Sequence, residues 1–367
     1  MKNKIRIIGI GILVLLWVGL TAAAWFGPVK ELSEAERRPL AQMPELSPES
    51  ILDGSFMADF EGYSLDQFPL RDSFRRIKAL FHYHVLGQSD SNDIYLADGF
   101  AVQQEYPLAE TSIHNALRKF NEIYESYLKD TDSRILMAIV PDKGYYLAES
   151  SGHLALDYET LFAAFREGMP WAEHVDITQL LSEEDYYFTD THWRQEKIMD
   201  VARHLCEALE VNGFDDHELV PEPLERPFYG VYYGQAALPM EPETMYVLRN
   251  EIIDGCTVYD HESGKNTMVY DMEKLESRDL YDVYLSGARA LLTIENPSAG
   301  TDRELIVFRD SFGSSLIPLL VKDFRTVTVV DIRYVSSSML GDLVDFHGQD
   351  VLLLYSTLIL NNSSSLK

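Results

Sequence analysis

The sequence predicts an α/β fold in which a central, mostly parallel sheet is flanked by helices and preceded by an N-terminal transmembrane helix. The segments Arg134–Val140, Glu304–Phe308, Thr326–Val330 and Val351–Leu354 are nearly continuous apolar runs, as expected of strands buried on both faces. Helix-period segments alternate with them, which is the pattern of a parallel sheet with crossover helices. Residues 7–26 form an uncharged stretch long enough to cross a bilayer.

Lys2, Lys4 and Arg6 precede that stretch and favour a cytoplasmic N-terminus, so the chain after Phe26 is expected outside the cytoplasm. Ala22, Ala23 and Ala24 offer a small-residue cleavage site, but the apolar run exceeds the usual signal core. Residues 1–28 are therefore read as an uncleaved anchor in preference to a cleaved signal sequence that would release the protein. Residues 29–48, broken by Pro39, Pro44 and Pro48, read as a linker. One domain is expected over 49–360, with a disordered, Asn- and Ser-rich tail at 361–367.

Within the domain, Ser55–Gln67 and Arg71–Leu86 have helical spacing, and Pro69 between them stops the first helix. Ile94–Leu96 and Ala101–Gln104 flank Asp98-Gly99, a dipeptide suited to a tight hairpin turn. Helices are expected at Ser112–Lys129 and Gln195–Glu210. Met245–Leu248, Thr257–Tyr259 and Ala290–Ile294 read as an insertion or an extension of the sheet.

With 31 Lys+Arg against 59 Asp+Glu, the formal charge of −28 repels phosphate backbones and anionic lipid headgroups, and nucleic acid is not expected as a partner. Two cysteines, Cys206 in an expected helix and Cys256 in a strand or turn, have no further Cys or His at ligand spacing. No metal site is expected, and their pairing stays open.

Ser311 lies in Phe308-Arg-Asp-Ser-Phe-Gly-Ser-Ser-Leu316, between a strand and a helix, where an α/β sheet exposes side chains at its carboxyl edge. Backbone N–H groups there could stabilise an oxyanion, and Gly313 could let a substrate approach closely. The same Asp310 and Ser311 also suit simple helix capping. The second cluster is Tyr187-Phe-Thr-Asp190-Thr-His192-Trp193. On an extended segment Asp190 and His192 would project to one side, so His192 could take the serine proton while Asp190 orients the imidazole. A packed histidine beside a buried tryptophan is the alternative.

Together these clusters resemble the AlgX/AlgJ-like acetyltransferases and their Gram-positive relatives, the DHHW proteins. Further matches are Glu36-Arg-Arg38, Gly54-Ser-Phe56, Phe60-Glu-Gly-Tyr63, Asp66-Gln-Phe-Pro-Leu-Arg71, Val140-Pro-Asp-Lys143 and Asp331-Ile-Arg-Tyr334. As in those families, the Asp-x-His element precedes the serine. Thr191 stands where the DHHW signature has His, and Arg309 where many SGNH enzymes have glycine.

The resemblance implies an SGNH-hydrolase-like domain that transfers acetyl groups to a cell-surface or secreted polysaccharide through Ser311, His192 and Asp190. It implies no cofactor, and a membrane-bound O-acyltransferase partner as acetyl supplier. Gly230, Arg289, Arg333 and Tyr334 are the substrate contacts it suggests. A carbohydrate esterase with the same triad is the enzymatic alternative. The other is a non-catalytic polysaccharide-binding assembly factor in which Tyr229, Tyr232 and Tyr233 stack on sugars, although those tyrosines also suit cross-strand packing.

Overall fold

The computed structural model describes residues 2–33 and 35–367. The chain divides into two compact units, residues up to 92 together with 233–239, and residues 93–232 together with 240–367. Residues 49–92, expected to open the main domain, thus group with the first unit.

The first unit begins with α1 (Lys2–Phe26), of which Arg6–Phe26 is long and apolar enough to cross a membrane or to serve as a signal sequence. Next, α2 (Pro48–Leu52) starts at a reciprocal capping box between Ser47 and Ser50. The expected hairpin follows as α3 (Ser55–Asp66) and α4 (Arg71–Leu80), and α4 continues into a π-helical turn at Phe81–Val85. Several of the motif residues converge here. Asp66 takes both arms of Arg38 at 2.7 and 2.8 Å, and Glu36 meets Arg71 at 2.5 Å and Arg75 at 3.3 Å. The Arg38 fork holds the Asp66 carboxyl down at about 2.

The second unit opens with the hairpin β1 (Ile94–Ala97) and β2 (Phe100–Gln103), whose turn residues Asp98 and Gly99 both have positive φ. Then come α5 (Glu110–Ile123), β3 (Ile135–Val140), α6 (Lys143–Leu147), α7 (Tyr158–Gly168), β4 (Glu173–His174) and α8 (Met199–Ala208). A separate ribbon pairs β5 (Val220–Pro223) with β6 (Tyr246–Arg249). The remaining strands are β7 (Thr257–Asp260), β8 (Lys265–Thr267), β9 (Leu291–Glu295), β10 (Glu304–Arg309), β11 (Thr326–Val330) and β12 (Asp350–Ser356), with short helices α9 (Gly313–Leu316) and α10 (Thr357–Asn361).

The eight-stranded sheet runs β8-β7-β9-β11-β10-β12-β3-β4, parallel from β11 to β4. β9, β7 and β8 extend it by antiparallel pairing, which is the sheet extension expected from the sequence. Strand alternation divides the core between two faces. Leu305, Val307, Leu352 and Leu354 pack with α8 and Trp193, whereas Ile306, Phe308, Val351 and Leu353 pack with α5 and α7.

Two expectations are corrected. The tail is packed rather than disordered: Ser363 and Leu366 are buried, Ser363 Oγ donates to the Ser112 carbonyl at 2.6 Å, and the Lys367 N–H reaches the Ile332 carbonyl at 2.8 Å. Polar composition mistook satisfied hydrogen-bonding groups for solvated ones. Tyr229 and Tyr232 lie on a loop and helix start after β5, and not on a sheet. Cys206 and Cys256 are buried free thiols, and burial pushes the Cys206 thiol up to about 12.

Candidate active site

Ser311 follows β10 directly, in a turn fastened by its neighbour. Asp310 Oδ2 accepts from the Ser356 N–H and hydroxyl at 2.7 and 2.6 Å, and Oδ1 accepts from the Phe312 N–H at 3.0 Å. Asp310 therefore ties the turn to the end of β12, and the half-buried Ser311 hydroxyl is left for other work. It lies 2.8 Å from His192 Nε2, while His192 Nδ1 lies 2.6 Å from Asp190 Oδ1. With Nδ1–H donating to the carboxylate, Nε2 is the acceptor for the serine proton. All three residues predicted to act together are brought together.

The Asp190–His192 segment is a bend and not the extended stretch expected. Asp190 Oδ1 also accepts the backbone N–H of His192 at 3.1 Å, so one carboxylate oxygen curls the chain and aims the ring. Its other oxygen accepts the Val231 N–H at 2.8 Å. The imidazole lies flat on Tyr281, with centroids 3.8 Å apart and planes 8° from parallel.

Sequence reasoning treated Trp193 as core, yet it joins the two clusters. Its Nε1–H donates to the Phe312 carbonyl and to Ser315 Oγ at 3.1 and 3.0 Å, and Gln195 Nε2 donates to the Ser315 carbonyl at 2.7 Å. Tyr281 OH reaches the same Ser315 hydroxyl at 2.8 Å. The spacing from base to nucleophile is thus held by side chains flanking both.

Lys143 was missed as a site residue, although its motif had been noted. It is 2% exposed, its Nζ donates to the Tyr187 carbonyl at 2.9 Å, and it faces the rings of Phe100 and Tyr232. Burial pushes its ammonium down to about 7, against the opposing pull of Asp190, Glu243 and Asp142. Glu243 secures the same loop from the other side, accepting the N–H groups of Phe188 and Thr189 at 2.7 and 2.8 Å. Only the fold brings these residues beside Asp190.

Gly230 is not a free donor toward substrate, because its N–H is engaged by Thr189 Oγ1 at 2.8 Å. It is glycine because a Cβ there would lie 2.2 Å from the Thr189 carbonyl oxygen and 2.3 Å from Asp190 Cα. Gly313 likewise makes room for the Arg309 side chain, 2.8 Å from where a Cβ would sit, and not for substrate. Arg309 is fully buried and spans the nucleophile turn, donating to Ser314 Oγ at 3.0 Å and to the Gly287 carbonyl at 3.1 Å. Among the described residues the Ser311 N–H has no protein acceptor, so it can donate to an anionic oxygen formed at the nucleophile.

Arg333 grips Asp331 through two bonds of 2.9 and 2.6 Å and lies over the exposed ring of Tyr334. Both follow β11, whose Val330 pairs with Phe308 of β10, so they share the sheet edge of Ser311. Arg289 pairs with Asp260 at 3.1 Å and lines a polar groove of about 690 Å³ with Lys265, Asn266 and Ser286.

Residues 177–330, which span both clusters, match the family model described as DHHW protein. A DHHW family protein from Eubacterium siraeum has a similar structure, with a TM-score of 0.56 and 18% identity, over 75% of this chain and 95% of that one. Bacillus cereus PatB1 aligns with a TM-score of 0.58 and 17% identity over 73% and 96%, and its form carrying a sulfonyl adduct gives 0.57 and 15% over 73% and 95%. The O-acetyltransferase domain of Pseudomonas putida AlgJ aligns with a TM-score of 0.45 and 15% identity, over 73% and 92%. No curated protein matches the sequence. The chain resembles the DHHW family, as its motifs led us to expect, and shares its fold with the Eubacterium siraeum protein and PatB1.

Proposed function

We propose that this protein is an extracytoplasmic O-acetyltransferase acting on a cell-surface or secreted polysaccharide. The observation that carries the reading is the continuous chain of hydrogen bonds from Asp190 through His192 to Ser311, at 2.6 and 2.8 Å. His192 Nε2 takes the hydroxyl proton as Ser311 Oγ attacks an acetyl carbonyl, and then passes it to the departing group. The acetyl ester on Ser311 is next attacked by a sugar hydroxyl, whose proton goes to His192 and from there to Ser311 Oγ as the ester bond to the serine breaks. The Ser311 N–H is suited to the oxyanion of both steps.

The sulfonyl adduct carried by the PatB1 structure is in keeping with an activated nucleophile on this fold. The acetyl group, the polysaccharide acceptor and a membrane-bound acyltransferase as supplier follow from the family resemblance, and an anchor at α1 from the length of its apolar stretch. Arg333, Tyr334 and Arg289 are then the side chains to examine for acceptor contacts.

The test is acetate release from a chromogenic acetyl ester by the full-length chain, compared with Ser311→Ala and His192→Ala, with mass spectrometry of the Ser311 peptide. Loss of turnover in both folded variants and a mass gain of one acetyl group on wild-type Ser311 are expected. Acetylated oligosaccharide formed from the same donor distinguishes the transferase from an esterase. Unchanged turnover in Ser311→Ala overturns the reading.

A further inference from the structure

We propose that the outward face of α4 and its π-helical continuation lies in the interfacial layer of a lipid bilayer. This helix carries an apolar stripe that no other described part of the chain covers. Leu70, Phe74, Ile77 and Phe81 recur at i, i+4, i+7 and i+11, the spacing of one helix face, and they are 69%, 44%, 62% and 50% exposed. The opposite face turns Arg71 and Arg75 inward onto Glu36 and buries Ala79. Asp72, Arg76 and Lys78 remain exposed beside the stripe, so the helix presents a row of large apolar side chains flanked by charges, which suits the boundary between lipid and water.

The concentration of such side chains is local. Among the described residues, sixteen exposed large apolar side chains fall between Val29 and Leu86, against eleven in all of residues 87–367. Met43, Phe68 and Phe74 among them lie against α1. A groove of about 710 Å³ is lined jointly by Trp17, Leu20 and Trp25 of α1 and by Phe60, Phe68 and Phe74. A surface continuous with a helix apolar enough to cross a membrane selects lipid as the occupant. Aromatic residues and a flanking Lys78 are the side chains that anchor at a headgroup boundary. Although the chain as a whole carries −28, the exposed charges of Arg71–Leu86 are Arg76 and Lys78 against Asp72, since Arg71 and Arg75 are paired with Glu36, so this segment presents a small positive excess to headgroup phosphates.

The experiment uses the full-length chain reconstituted in vesicles of phosphatidylcholine with a minority of phosphatidylglycerol. Ile77→Cys, Phe81→Cys, Asp72→Cys and Leu15→Cys each receive a polarity-sensitive fluorophore, and the unsubstituted chain supplies the background from its two buried thiols. Quenching by iodide is compared with quenching by lipids spin-labelled near the glycerol or deep in the acyl chain. The proposal expects positions 77 and 81 to be quenched several-fold more by shallow lipid labels than by iodide, and position 72 the reverse.

Equal iodide access at 72, 77 and 81 overturns it. Protection that fades as the protein is diluted in lipid, or protection from both quenchers, overturns it in favour of a second copy or of burial in the protein. Deep lipid quenching at position 15 reports separately that α1 spans the bilayer, and iodide access there overturns the anchor together with the stripe. Leu70→Cys replaces either stripe position if its substitution disturbs the thermal unfolding of the chain.

Discussion

Asp190 determines which nitrogen of His192 can act as a base, because its carboxylate accepts the Nδ1 proton at 2.6 Å. Asp190→Asn presents a donor to that position and favours the wrong tautomer, so turnover should fall by roughly 10⁴-fold with the fold retained. Steady-state ester hydrolysis checks this, and a loss under tenfold speaks against the triad. Lys143 leads to a prediction of the opposite kind, on stability. In the unfolded chain its ammonium persists to about pH 10.4, whereas burial brings it to about 7 in the fold. Between those values the unfolded chain holds the extra proton. The penalty of burying the charge is therefore complete below pH 7 and is relieved as pH rises, at up to about 1.4 kcal/mol per pH unit. Urea midpoints of wild type and Lys143→Met at pH 7.5 and 9 should diverge with that sign, and a parallel pH dependence would refute the assignment.

At the scale of elements, the site is a contact between two loops that follow different parts of the sheet. The loop after β5 reaches the Asp190 bend so closely that only glycine fits at position 230. Gly230→Ala must displace backbone atoms of Thr189 and Asp190, which cannot move aside as a flexible side chain would. We expect a loss of about 2 kcal/mol in stability and at least a tenfold drop in turnover, measured by denaturant unfolding and ester hydrolysis on the same samples. A stable but inactive variant would still fit, since the displaced carboxylate alone misaligns His192. A variant with wild-type turnover would not.

At the scale of the molecule, the C-terminal residues close one face of the second unit. Deleting 363–367 removes the buried Leu366 side chain and frees the Ser112 and Ile332 carbonyls from their partners. The expected loss is roughly 2–3 kcal/mol, read as a lowered urea midpoint. A truly solvated tail would leave the midpoint unchanged.

The sequence by itself determined four of the five strands of the parallel sheet, because six apolar residues in a row, as in Ile135–Val140, can be buried only on both faces, whereas the polar two-residue β4 carries no such signal. It also singled out Ser311, His192 and Asp190 as candidates, through their motifs and the family resemblance. What it left undecided were the supporting contacts around those residues. The inward Lys143, the clamp of Trp193 on Ser315 and the engaged N–H of Gly230 join segments 44, 122 and 41 residues apart. Periodicity reports which face of an element is apolar. Whether that face meets protein, as in β10, or stands outward, as on α4, was decided only by the tertiary structure, because the choice depends on what the remaining elements leave uncovered.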